Sequence, residues 1–327
     1  MTLLRIFTMI ILAMHPVSVH CENVCYIRKL YNDLFSNYTK EVMPVYDHSK
    51  PLMIGVTFYL TSINSYKELD ETISITGSFV FNWTDPFLAW NPSTYGHVYL
   101  TVIDSSGMWL PFIVLANSVN KMEPIEGTTK LYAVIITNGE IVYSPGDVFE
   151  SKCPTDISKF PFDEQQCSLV FTAWGISASF LSLSSLKDQA ELAYVSPHSD
   201  WKLLEYSTES EVMDDGTLFS LNIRIKRQAW YYGVMVIAPT VLIALLNPLV
   251  FLLSVESGER VSLSMTILLS YAIFLTLVSS SILASSNSMC ALLIVMIIII
   301  VVSGIIVFGV IIAEIFQRRC GQNETNS

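Results

Sequence analysis

The chain has 327 residues, of which 52% are hydrophobic and only 14% charged, a balance that excludes an ordinary water-soluble globular protein of this size. Its formal net charge is −11, and residues 21–227 hold 14 basic and 25 acidic side chains, so that region carries the whole excess. No basic patch is present to neutralise phosphates, which excludes nucleic acid as a partner. The 53 residues from Val261 to Ala313 contain no Asp, Glu, Lys or Arg, enough for two membrane spans of about 20 residues each.

In chain order, Arg5 precedes the apolar run Ile6–Met14 and small residues follow around Val17–Val19. Residues 1–20 therefore read as a secretory signal whose apolar core is too short to span a bilayer. The chain from residue 21 onward is expected outside the cell. Sequons stand at Asn37-Tyr38-Thr39 and Asn82-Trp83-Thr84. Asn37 is the expected glycan acceptor, because Asn82 falls inside an apolar, strand-like stretch.

Val24–Tyr38 reads as one amphipathic helix. Short β-rich runs follow, cut by turn residues: Ile54–Thr61, Ile73–Trp83, His97–Ile103, Leu131–Ile136, Glu140–Tyr143, Ser168–Trp174, Phe180–Leu183, Trp201–Tyr206 and Thr217–Ile225. Many alternate apolar with polar residues, and Asn138-Gly139 is a hairpin signal. The expected fold over 21–227 is an extracellular all-β antiparallel sandwich with a short N-terminal helix.

An all-α membrane domain over 228–316 follows, with spans predicted at 230–255, 261–283 and 289–313 and a short cytosolic tail over 317–327. Arg260, Arg318 and Arg319 then lie on the cytosolic side, as the positive-inside tendency requires. Pro248 is expected to bend or break the inner end of the first span, since it cannot donate a helical hydrogen bond. The five His show no metal-ligand spacing, and neither HExxH, a Walker loop nor a nucleophile elbow occurs, so no enzyme, cofactor or metal site is expected.

Cys153, Phe160-Pro161-Phe162-Asp163 and Cys167 are spaced in a pattern that resembles the signature of the Cys-loop pentameric ligand-gated ion channels. One position departs, since the family usually has an apolar residue or Gln where Thr155 stands. The segments Trp83-Thr84-Asp85, Leu88-Ala89-Trp90-Asn91, Trp109-Leu110-Pro111, Trp230-Tyr231-Tyr232-Gly233-Val234, Ile237-Ala238-Pro239 and Ser257-Gly258-Glu259-Arg260 resemble nicotinic acetylcholine receptor subunits. The resemblance runs from about residue 25 to 316. It implies a Cys153–Cys167 disulfide, homo- or hetero-pentameric assembly with like subunits, a small-molecule agonist, permeating monovalent cations, contact with membrane lipids and a place in the plasma membrane.

In the second span Ser262, Thr266, Leu269, Ile273, Thr276 or Leu277, and Ser280 recur at helical spacing and share one face. Five copies would stack hydroxyl rings near the inner end and apolar rings of Leu269 and Ile273 above them, where a pore can close by dewetting. Glu259 stands at the inner mouth, where anion-selective relatives usually carry a Pro-Ala-Arg turn, so cation selectivity is implied.

By the same carry-over, Glu68 and Arg227 match a buried pair joining sandwich to membrane domain. The loop with Phe160, Pro161 and Asp163 is expected to rest on the turn 284–288. Trp174 matches the central residue of the aromatic agonist cage, with Tyr143 expected opposite it; packing beside the disulfide is the other role open to this tryptophan. Ser78 and Ala116 stand where the cage has a tryptophan and a tyrosine, and Met213 or Gly216 where it has a second tyrosine. Acetylcholine is therefore not the expected agonist. The family continues into a cytosolic loop and a fourth span, and this chain stops at Ser327; a non-conducting assembly partner is the second expectation.

Overall fold

The computed structural model describes residues 18–125, 130–187, 191–213, 215–253, 259–281 and 290–325. Most of the expected signal, residues 1–17, and the turn 284–288 lie outside them. Helix α1 (Ser18–Phe35) opens the extracellular half, ending three residues before the predicted Tyr38. The hydroxyl of Tyr38 has left the helix to donate to Asp85 Oδ2 at 2.6 Å and to accept from the Trp109 backbone N–H at 3.2 Å.

Twelve strands follow among the described residues. One sheet holds β1 (Leu52–Lys67), β2 (Thr72–Thr84), β3 (Leu100–Asp104), β5 (Tyr132–Ile136), β6 (Glu140–Tyr143), β7 (Gly146–Lys152), β9 (Leu181–Ser185) and β10 (Glu191–Ser196). The other holds β4 (Ile113–Leu115), β8 (Glu164–Ala173), β11 (Trp201–Met213) and β12 (Gly216–Arg227) in the order β11-β12-β8-β4. The pairing is antiparallel except where β1 meets β9 and β10 in parallel. The two sheets face each other, as expected of a sandwich. Strands β4, β7 and β10 were not among the predicted runs. In β7 only Phe149 and Ser151 are buried, so its Gly-Asp-Val-Phe-Glu-Ser-Lys composition has no apolar alternation to detect.

The alternation of β2 turns Ile73, Ile75, Phe79, Phe81 and Trp83 inward. Phe79 meets Phe58, Phe149 and Phe171 edge to face at ring-centroid distances of 4.8, 5.6 and 4.8 Å. Burying each such ring stabilises the sandwich by about 1.5–3 kcal/mol. Gly139, at φ +80°, turns β5 into β6; a side chain there would meet the Asp85 carbonyl oxygen at 2.3 Å.

Three apolar helices long enough to cross a membrane follow among the described residues. The first, α2 (Trp230–Leu252), is not uniform. A π turn over Gly233–Ile237 precedes Pro239, an α segment runs Ala238–Leu246, and Asn247–Leu252 is 3-10. The expected effect of Pro248 is thus a change of helix type. The second, α3 (Glu259–Ser281), and the third, α4 (Ala291–Thr325), pack with α2 around Val250, Ile267, Tyr271 and Val310. Helix α4 continues through most of the segment predicted as a short tail, because no proline or glycine pair interrupts it after Ala313.

Candidate functional site

Three regions hold the predicted site residues, and each is built by a different level of structure. At the junction between the halves, Cys153 and Cys167 are joined in a disulfide and close a loop that carries Phe160, Pro161 and Asp163. The Phe160–Pro161 peptide is cis. Asp163 and Arg227 are both buried. Arg227 donates from Nε to Asp163 Oδ1 at 2.8 Å, from Nη2 to Asp163 Oδ2 at 3.1 Å and from Nη1 to Glu68 Oε1 at 2.8 Å. Burial works against the guanidinium charge, but the bonds and charges of Asp163 and Glu68 outweigh it and raise the Arg227 pKa above the usual arginine value.

Aromatic faces enclose the same cation, at 4.4 Å for Trp201, 5.0 Å for Phe160 and 5.4 Å for Tyr232. Gln165, also buried, donates to Asp163 Oδ2 at 2.7 Å and to the Asp156 carbonyl at 2.9 Å. Trp201 and Gln165 escape a sequence reading. Trp201 reaches Arg227 because β11–β12 pairing sets the two residues opposite each other, a register the strand patterns alone leave undefined.

The loop reaches the membrane helices directly. Phe160 packs edge to face on Tyr232 at 4.9 Å, and Ile157 and Phe160 cluster with Val278, Cys290 and Met296. The Ala291 N–H donates to the Ser158 carbonyl at 3.2 Å. The expected contact with the turn 284–288 lies outside the described residues.

In α3, Ser264, Ile267, Tyr271 and Val278 are buried against the other helices. Glu259, Ser262, Thr266, Leu269, Ile273 and Thr276 are exposed, so they form a face that the chain's own helices leave uncovered. The Thr266 and Thr276 hydroxyls donate back to the carbonyls of Ser262 and Ile273. The Ser280 side chain lies outside the described residues. Arg260 turns back to α2, donating to the carbonyls of Leu253 and Phe251.

The third region is a cleft of about 460 Å³ under the β11–β12 hairpin, lined by Ala116, Trp174, Gly175, Met213, Asp215, Gly216 and neighbouring residues. Trp174 is 55% exposed, so it is not a core tryptophan beside the disulfide. Ala116, Trp174 and Met213 meet here. Tyr143 is not in the lining: it is 1% exposed in the core, where β6 pairs it with Phe81 and Ala133. Ser78 lies on β2 opposite Tyr59 and Gly146, in the other sheet. Among the described residues no cluster of three or more His, Cys, Asp or Glu could hold a metal ion.

A β-sandwich whose disulfide loop presses on membrane-spanning helices, with a recessed exposed tryptophan beneath a hairpin, defines a ligand-gated ion channel subunit. Two family profiles match in tandem: the neurotransmitter-gated ion-channel ligand binding domain over residues 27–233 and the neurotransmitter-gated ion-channel transmembrane region over residues 236–326. The chain belongs to this family of channels, which are not enzymes, and is a multi-pass protein of the plasma membrane. It is similar to the acetylcholine receptor subunit beta-type lev-1 of Caenorhabditis elegans, 31% identical over 79% of this chain and 51% of that protein. It is also similar to the neuronal acetylcholine receptor subunit alpha-10 of Homo sapiens, 31% identical over 77% of this chain and 57% of that protein. The chain spans about half the length of the curated relatives it matches.

Proposed function

We propose that this chain is a subunit of a pentameric, cation-selective channel opened by a small organic ligand other than acetylcholine. The observation that carries the reading is the uncovered face of α3, which runs from Glu259 through Ser262 and Thr266 to Leu269 and Ile273. In a five-fold ring that face lines the ion path. Glu259 carboxylates attract cations at its inner end, and the Leu269 and Ile273 rings exclude water when the pore is shut. Neither the fold nor the relatives favour a non-conducting role.

The relatives carry acetylcholine receptor names, but the cleft argues for a different ligand here. A quaternary ammonium needs aromatic faces, and each ring lost removes roughly 0.5–2 kcal/mol of attraction. Trp174 is the single aromatic residue of this cleft among the described residues, beside Ala116, Met213 and Gly216. A bulkier and more apolar ligand fills that space better. Ser78, on the opposite sheet, reaches such a ligand only from a neighbouring copy. Asn37, exposed after α1, is the proposed glycan acceptor.

The test is an agonist screen on oocytes expressing the chain, with reversal potentials read after diluting external NaCl. The expected shift follows the cation gradient, acetylcholine is silent at micromolar concentration, and Trp174→Ala abolishes the response. A shift that follows chloride would overturn the selectivity, and a micromolar acetylcholine current would overturn the ligand reading.

A further inference from the structure

The change of helix type in α2 has a local cause. Pro248 has no N–H to donate to the Ala244 carbonyl; the Asn247 N–H takes that acceptor. The Asn247 side-chain amide donates to Ser303 Oγ at 2.6 Å, which anchors the junction to α4. From there the chain runs as 3-10 to Leu252. A 3-10 segment turns about 120° and rises about 2.0 Å per residue, against about 100° and 1.5 Å in an α-helix. Over the segment Asn247–Leu252 the difference accumulates to about 120° of rotation and about 3 Å of rise. Helix type therefore decides where the carbonyls at the end of the span point.

Arg260 is what they meet. Its Nε donates to the Leu253 carbonyl at 2.5 Å and its Nη2 to the Phe251 carbonyl at 3.2 Å. Two carbonyls at a helix C-terminus suit a forked cation, since the unpaired groups there carry partial negative charge. Along α3, Arg260 shares its face with Ser264, Ile267 and Tyr271, all buried. Glu259 shares the uncovered face with Ser262 and Thr266.

We propose that Pro248 is a specificity-determining position: the 3-10 turn it starts aims the Phe251 carbonyl at Arg260, beside the carbonyl of the extended Leu253 that follows, and so holds that positive charge away from the ion path beside Glu259. The inference rests on the reading of Glu259 as the selectivity residue. With an α-helical continuation at 248 the Phe251 carbonyl swings away, the guanidinium is released, and its charge counts against the carboxylate next to it.

The experiment reads the local potential without needing an agonist or a current. Ser262→Cys serves as reporter in the full chain, held in sealed vesicles with the cytosolic face outward. Its modification rates by a cationic and an anionic thiosulfonate reagent are compared, with labelling of the parent subtracted. The cationic reagent is expected to be the faster. Pro248→Ala is expected to lower the cation-to-anion rate ratio about fivefold or more, and adding Arg260→Gln to Pro248→Ala is expected to restore it. An unchanged ratio in Pro248→Ala, or a fall that Arg260→Gln does not reverse, would overturn the proposal. If Pro248→Ala does not assemble, Arg260→Lys replaces it, because a compact ammonium lacks the planar fork whose separate nitrogens serve the two carbonyls; a smaller fall supports the proposal and no fall overturns it. Glu259→Gln in the reporter separates the two readings. Its ratio falls if Glu259 sets the potential, and an unchanged ratio there rejects the Glu259 assignment independently of Pro248.

Discussion

Arg227 and Asp163, 64 residues apart, are held by three hydrogen bonds: the two side-chain contacts at 2.8 and 3.1 Å and a third at 3.1 Å from the Arg227 N–H to the Asp163 carbonyl. Asp163 belongs to the disulfide loop and Arg227 ends the last strand, three residues before the first span. One contact thus ties the sandwich, the loop and the membrane helices together. Glu68, expected to form a buried pair with Arg227, adds one bond from a more exposed position.

Asp163→Asn is expected to destabilise the extracellular half by about 3–5 kcal/mol, because it leaves a buried guanidinium without its main counter-charge. Glu68→Gln is expected to cost about 1 kcal/mol, since Glu68 is partly solvated. Thermal unfolding of the two variants in detergent measures the order. The reverse order would make Glu68 the dominant partner.

Thr155 departs from the family pattern, and the structure shows what it meets: its Oγ1 lies 2.6 Å from the Tyr66 hydroxyl, buried. Tyr66 in turn packs edge to face on Trp201 at 5.0 Å, the ring that covers Arg227. Thr155→Val is expected to cost about 1–3 kcal/mol, and Tyr66→Phe in that background little more. Additive losses in a double-mutant cycle would show that the pair does not act as a unit.

Burial pushes the Tyr66 pKa up to about 12, above the ordinary value of 10.0 for an exposed tyrosine. The folded state therefore holds this proton where the unfolded chain has released it. The stabilising contribution is complete below pH 10 and is lost as pH rises from about 10 to about 12. Tyr38, raised first by burial and then by Asp85, acts in the same direction. Unfolding followed across pH 9–12 is expected to show a shallower loss in Tyr66→Phe than in the parent, and identical slopes would rule Tyr66 out as a contributor.

Reducing Cys153–Cys167 opens a loop of 14 residues' separation and is expected to lower stability by about 3 kcal/mol. The loop holds Asp163 and Phe160 in place, so reduction is also expected to loosen the Ser158 contact with Ala291. Hydrogen exchange at Ala291 with and without reductant checks this. Unaltered protection would mean that packing, not the disulfide, fixes the loop.

Leu269→Ser is expected to wet the constriction and bias the channel open, whereas Glu259→Ala weakens cation preference without closing the pore. Unstimulated current in the Leu269 variant is the readout. A closed state as stable as the parent's would remove Leu269 from the gate.

Much of this was legible in the chain because the signals are local. Apolar run length marked the three spans, alternation marked β1, β2, β8 and β12, and a 3.6-residue repeat placed Ser262, Thr266, Leu269 and Ile273 on one face of α3. The Cys153–Cys167 disulfide came from resemblance and the structure contains it. Tertiary structure alone decided the rest. Tyr143 alternates just as a cleft residue would, yet β6 lies between β2 and β5 and its ring turns into the core. The parallel pairs of β1 follow from register between strands far apart in sequence, the position of Trp201 over Arg227 from the register of the β11–β12 hairpin, and the double hold of Asp163 from the packing of the disulfide loop on the end of β12. Arg260 faces α2 for the same kind of reason: its helical phase follows from sequence, but the carbonyls that receive it are aimed by the path of another helix. Periodicity records which face of an element is apolar; only packing determines which partner that face meets, because the partner comes from a distant segment whose register no local pattern encodes.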